Sequence, residues 1–199
     1  MSLASQGGTY LLRIHLYAET SLAFGRFRGG QLFTLPVGEY LYIGSALNPR
    51  GATSLAPRLL RHATRSGARP PHAIREALCD HFRAIGLGPV SLSPPRSKKL
   101  HWNVDHLLDL EAAALVGVYA IRSPARLETD LAHALAADPG TEILSPGLGA
   151  NDVRGGTHLL RVVGGEGWWE GLGKWLAACY GPKFPVAEEN AKKTNIKNR

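Results

Sequence analysis

The chain predicts an α+β fold, a small antiparallel β-sheet flanked by α-helices. Short runs alternate their apolar residues with the period of a strand. Between them, other segments repeat apolar residues every three or four positions, the period of a helix packed on one face. The early strand-like runs follow one another across glycine-bearing turns, which joins neighbours antiparallel. With 199 residues, one domain over residues 1–180 is the natural size, with chain enough for a sizeable core.

Residues 10–17 open the fold as a strand, rich in Leu11, Leu12 and Ile14. Residues 22–27 and 31–35 read as a hairpin turning over Arg28, Gly29 and Gly30. The next strand, residues 39–43, places Tyr40 and Tyr42 on one face and Leu41 and Ile43 on the other. It ends in Gly44, Ser45 and Ala46, where a glycine permits close approach of another group. A helix follows, with Pro57 suited to its first turn. Spacings of three and four put Arg58, Arg61, His62 and Arg65 on one stripe, with Leu59, Leu60 and Ala63 facing away. Residues 66–99 read as an insertion. Its ends are the stiff, basic Arg69-Pro70-Pro71 and Ser93-to-Lys99 segments. A short helix over 73–85 is expected between them, in an otherwise solvated loop. Residues 104–110 are helical and 113–121 a strand. A helix bearing Glu128 runs to Ala137, stopped by Asp138-Pro139-Gly140. After a glycine-rich stretch, residues 158–163 form a last strand. A C-terminal helix over 167–180 gathers Trp168, Trp169, Leu172, Trp175 and Leu176 on one face for packing onto the body. Residues 181–199 are polar and lysine-bearing, the composition of a disordered basic tail.

The formal net charge is +7 and the sequence pI about 9.7, a tilt towards polyanionic partners. No apolar run has the length of a membrane span, and the N-terminus lacks the pattern of a secretion signal. Cys79 and Cys179 have neither metal-type nor redox-type spacing, so two free thiols in a reducing cytoplasm are expected. His101 and Asp105 have the i,i+4 spacing of a metal pair, although such a pair more often serves a helix start or a polar cluster.

Several motifs stand in a telling order. Gly8-Thr9-Tyr10 precedes Tyr42-Ile43-Gly44, then Arg58 with His62, then Leu127-Glu128. This order resembles the GIY-YIG nuclease superfamily, with the two triads as its signature, Arg58 as the arginine of the following helix and Glu128 as its metal-binding glutamate. The chain is more closely similar to a branch found alone or fused to endonuclease III-type DNA glycosylases. That likeness rests on Gly38 to Ala46, on Lys99-Leu100-His101-Trp102-Asn103-Val104-Asp105, on Gly147-Leu148-Gly149-Ala150-Asn151-Asp152 and on His158-Leu159-Leu160, and it covers roughly residues 8–163. Thr9 stands where an aliphatic residue is usual, and Ser45 where many relatives have a lysine.

The resemblance implies a GIY-YIG-type fold and a metal-dependent endonuclease acting on DNA, including structured or damaged DNA in repair. Glu128 would hold Mg²⁺ or Mn²⁺. Arg58 would grip the phosphate, Tyr10 or Tyr42 would orient or deprotonate water, and His62 would be their hydrogen-bond partner or proton acceptor. Ser45, Arg61, Arg65, Lys98, Lys99, His101 and Asn151 are the expected nucleic-acid contacts. A silent nucleic-acid-binding module of the same fold is the alternative.

Overall fold

The computed structural model describes residues 5–149, 156–181 and, for their backbone, 184–186. Its centre is an antiparallel sheet. Strand β1 (Gly8–Leu16) lies between β4 (Gly38–Ala46) and β5 (Ala113–Ile121). Beyond β4 come β7 (Leu159–Val162) and β6 (Thr141–Ile143). Beyond β5, Phe184–Val186 (β8) adds a short edge strand. Part of the segment expected to be a disordered tail is therefore paired backbone. The hairpin β2 (Thr20–Ala23) and β3 (Leu32–Leu35) forms its own two-stranded sheet.

Strand alternation sorts the side chains into two cores. Tyr10, Leu12, Ile14, Leu16, Tyr40 and Tyr42 face one side. There they pack against α1 (Leu55–His62), α2 (Arg75–Ala84) and α3 (Asn103–Leu108). Leu11, Leu41, Ile43, Ile121 and Leu160 face the other, beneath α4 (Glu128–Ala136) and α5 (Gly165–Tyr180). Each fully buried leucine contributes about 1.5–3 kcal/mol relative to exposure, so both helical layers are held mainly by apolar burial. Trp169, Leu172 and Leu176 supply the buried face of α5; of the other residues expected on it, Trp168 is half-buried and Trp175 is exposed.

The insertion differs from the solvated loop expected. Leu78, Cys79 and Phe82 of α2, with Leu87 and Leu92 after it, belong to the first core. Its entry is fastened by Asp109, which accepts hydrogen bonds from the Ser66 backbone N–H and hydroxyl and from Arg69. Prolines and charges disguised an apolar face in this segment. Both cysteines are free, Cys79 buried and Cys179 exposed. Among the described residues, no helix is long and apolar enough to cross a membrane.

The sheet also leaves an opening. Pairing between β7 and β4 runs over Glu39–Tyr42 and ends with the Ile43 N–H donating to the His158 carbonyl. Past that point Gly44, Ser45 and Ala46 keep β1 as neighbour but lose β7.

Candidate active site

At this opening lies a cavity of about 290 Å³. Its lining includes Tyr10, Tyr42, Arg58, Trp102, Glu128 and His158. Residues from both layers meet there because alternation divides β4: Tyr42 points to the α1 side, Ser45 to the α4 side. Glu128, the first residue of α4, reaches the same rim.

Tyr10 owes its position to a glycine. A Cβ on Gly44 would sit 2.6 Å from the Tyr10 hydroxyl, so any larger residue would push the ring away. The hydroxyl meets His62 Nε2 at 2.8 Å. His62 is fully buried, and its other nitrogen, Nδ1, lies 3.6 Å from Asp105 Oδ1. Placing the imidazole proton on Nδ1, towards the carboxylate, leaves Nε2 to accept from Tyr10. Burial lowers the His62 pKa to about 4, against the pull of Asp105, so the ring is neutral near pH 7. Burial also raises both tyrosines: Tyr10 stands above the ordinary phenol value despite Arg58, and Tyr42 stands well above it. Neither phenol is an anion at neutral pH.

Asp105 holds this wall together. It is fully buried and takes Arg61 Nη1 and Nη2 at 3.0 and 2.9 Å. The backbone N–H groups of His101 and Trp102 donate to its Oδ2, closing the start of α3. Lys98 Nζ, itself buried, approaches to 3.5 Å. Desolvation works to raise the Asp105 carboxyl, but His62, Arg61 and Lys98 together hold it far below the usual range. The Trp102 ring in turn carries two guanidinium groups, Arg58 at 3.8 Å and Arg61 at 4.2 Å from its centroid. Such cation–π contacts are worth about 0.5–2 kcal/mol each. Arg58 is nine-tenths buried, and its Nε has no hydrogen-bond partner among the described residues.

The opposite wall is simpler. Glu128 Oε2 accepts a short hydrogen bond from the Ser45 hydroxyl, and Oε1 lies 2.9 Å from His158 Nδ1. Desolvation pushes the Glu128 carboxyl up; His158 and Ser45 outweigh it and hold the group below its usual value, so it is ionised at neutral pH. The side chain is 26% exposed. Each carboxylate oxygen has a second lone pair, so Glu128 can still accept a ligand from the cavity. Among the described residues, no group of three or more His, Cys, Asp or Glu could hold a metal ion. This donor set fits a hydrated Mg²⁺ or Mn²⁺ held by one carboxylate and water, because Mg²⁺ keeps most of its hydration shell.

Tyr10, Tyr42, Arg58, Glu128 and Ser45 thus share one cavity, with His62 directly behind Tyr10. The other expected contacts do not line it. Arg61 is spent on Asp105, Trp102 and the Lys99 carbonyl. Arg65 donates to the Ala113 and Pro70 carbonyls. Of the expected stripe, Arg61 and Arg65 are therefore internal ties between elements, Arg65 lies beyond the end of α1, and Arg58 faces the cavity. A stripe derived from spacing does not reveal that α3 and the segment before it cover it. Lys98 is buried; Lys99 and His101 are exposed beside the site. Asp105, buried among cations, is closed to the metal role that its spacing from His101 suggests. Asn151 lies outside the described residues.

Trp102, Asp105 and His158 were not among the expected site residues, and neither was Arg126, which also lines the cavity. The first two stand in the segment from Lys99 to Asp105, whose order marked it as important without indicating what it touches. His158 reaches Glu128 only through the sheet register, which no local signal encodes.

The fold and cavity define an α+β protein with an arginine-and-carboxylate pocket at the open end of its central strands. A family model matches residues 9–168, and the chain belongs to the family described as Domain of unknown function DUF123. No curated protein and no solved structure matches it.

Proposed function

We propose that this pocket hydrolyses phosphodiester bonds in DNA, as a metal-dependent endonuclease of the GIY-YIG type. The observation that carries the reading is Arg58. A guanidinium nine-tenths buried, with an unpartnered Nε, borders the same cavity as an ionised glutamate. Leaving a buried donor unmet costs about 1–3 kcal/mol, and more for a charged group, so such a site is suited to an anion. Planar guanidinium geometry suits a phosphate. Glu128 would hold the divalent ion, which when bound neutralises charge on the phosphate and leaving oxygen. Tyr10 and Tyr42 present hydroxyls to the space between. Net positive charge favours approach of a polyanion. A repair role, in the cytoplasm, rests on the likeness to glycosylase-fused relatives and on analogy.

One observation favours the alternative of a silent nucleic-acid-binding module. Both Glu128 oxygens already have protein partners, Ser45 and His158. Incubating the protein with supercoiled, nicked and branched DNA in Mg²⁺ or EDTA separates the two. Cleavage abolished by EDTA and by Glu128→Ala supports the enzyme; binding without cleavage under all conditions selects the module.

A further inference from the structure

The buried side of the site holds a carboxylate that never reaches the cavity. Tyr10, His62 and Asp105 form one line from the cavity inward, with contacts of 2.8 Å and 3.6 Å. Asp105 also fixes Arg61, which stacks on the same Trp102 ring that carries Arg58. We propose that Asp105 is the positioning residue of the site, and that it enables neutral His62 to act as proton acceptor through Tyr10. The proposal rests on reading the cavity as a hydrolytic site.

The chemistry follows from which protons can move. The Tyr10 hydroxyl donates to His62 Nε2, and with Arg58 as donor to its oxygen one lone pair is left for the cavity. As water attacks phosphorus, it passes a proton to the Tyr10 oxygen while the Tyr10 proton passes to His62 Nε2. The new P–O bond forms, the bond to the leaving oxygen breaks, and the leaving alkoxide takes a proton from solvent. His62 then returns its proton through Tyr10 to solvent. At no stage does Tyr10 exist as a free phenolate, the form that burial disfavours. The imidazolium is transient and forms next to Asp105, whose negative charge stabilises it. The other groups facing His62 are Tyr42 from β4, Arg61 from its own helix, Lys98 and the Trp102 ring. Arg61 and Lys98 oppose protonation of His62. Only Asp105 favours it, so removing that charge alone should disable the relay.

The test uses the full chain labelled with ¹⁵N-histidine, together with Asp105→Asn and His62→Gln. In the wild type, His62 should appear as the neutral Nδ1–H tautomer between about pH 6 and 8. In Asp105→Asn that preference should weaken. With cleaved DNA as readout, Asp105→Asn should lower kcat on the order of 10²-fold with KM nearly unchanged. His62→Gln, which cannot take up a proton, should lower kcat at least as far. A wild-type His62 in the Nε2–H tautomer overturns the proposal, as does a kcat untouched by both substitutions. Should Asp105→Asn fail to fold, the wild-type spectrum and His62→Gln decide. A wild type that does not cleave at all refutes the hydrolytic reading itself; the tautomer still judges the Asp105–His62 arrangement separately.

Discussion

The two walls of the cavity are built on different plans. On the α1–α3 side, polar groups are held in a chain: Tyr10 by His62, Arg61 by Asp105, and Arg58 and Arg61 by one shared indole. On the α4 side, Glu128 depends on one hydroxyl and one imidazole, and it stands at the first turn of its helix. The first wall buries Asp105 among Arg61, Lys98 and His62, and leaves the buried Arg58 Nε without a hydrogen-bond partner among the described residues. The second keeps a partly exposed carboxylate with lone pairs to spare. On the proposed reading the contrast would divide the labour: one wall would order a phosphate and a proton acceptor, and the other would take an exchangeable, hydrated ion.

If this division holds, losing a group that faces the reaction, on either wall, should be severe, and losing one that only supports such a group should be milder. The largest effect is expected from Tyr10→Phe, which removes the hydroxyl between cavity and His62. DNA cleavage should fall on the order of 10²–10⁴-fold, with a stability loss of about 1–3 kcal/mol because the buried His62 Nε2 loses its partner. Unaltered single-turnover cleavage would remove Tyr10 from the chemistry.

Acid should reveal the cost of burying neutral histidines. Burial sets the folded pKa of His62 at about 4 and of His72 at about 3, from an unfolded value of 6.5. Between these values the unfolded chain binds more protons, so stability rises with pH. The contribution is complete above pH 6.5 and is lost as pH falls towards 4, at about 3 kcal/mol for each histidine. Asp105 adds a loss only below its unfolded value of 3.8. Urea midpoints measured from pH 8 to pH 4 should therefore drop steadily below pH 6.5; a flat profile would mean that these rings are not buried neutral.

Gly44→Ala forces a Cβ against the Tyr10 ring and should cost about 1–3 kcal/mol by overpacking, together with loss of cleavage. Thermal unfolding checks this, and an unchanged melting temperature would refute the packing. The smallest effect belongs to Ser45→Ala. It removes one donor from Glu128, costs about 1 kcal/mol and moves the carboxyl upward towards its ordinary value. Cleavage at neutral pH should stay within a few-fold, because Glu128 remains ionised.

The difference between the walls also marks what the chain reveals before folding. The central strands were legible because β1, β4 and β5 are long enough to show alternation, and β5 spans the predicted residues 113–121. Thr141–Ile143, three residues long, is too short to carry a period. The meeting of Tyr10, Tyr42, Arg58 and Glu128 was legible only through motif order, since their spacings say nothing about distance. Arg61 and Arg65, expected as nucleic-acid contacts, are half-buried and engaged with other elements, and Lys98 is buried. A basic residue on a helix reads as solvated unless the segment that covers it is known, and here the cover comes from residues some forty positions later, Asp105 and Ala113. The role of Asp105 was hidden for the same reason: its partners lie on other elements.

On the proposed function, Glu128 and Arg58 serve one reaction from opposite walls. Glu128→Gln keeps the size and removes the charge that would hold a divalent ion. The decisive measurement pairs Mg²⁺-dependent cleavage of DNA with equilibrium binding of the same DNA, for wild type and Glu128→Gln. The account predicts cleavage lower by orders of magnitude with binding retained, because the phosphate grip belongs to Arg58. Cleavage intact per folded molecule, with stability lost instead, would contradict it and make Glu128 a structural partner of Ser45 and His158.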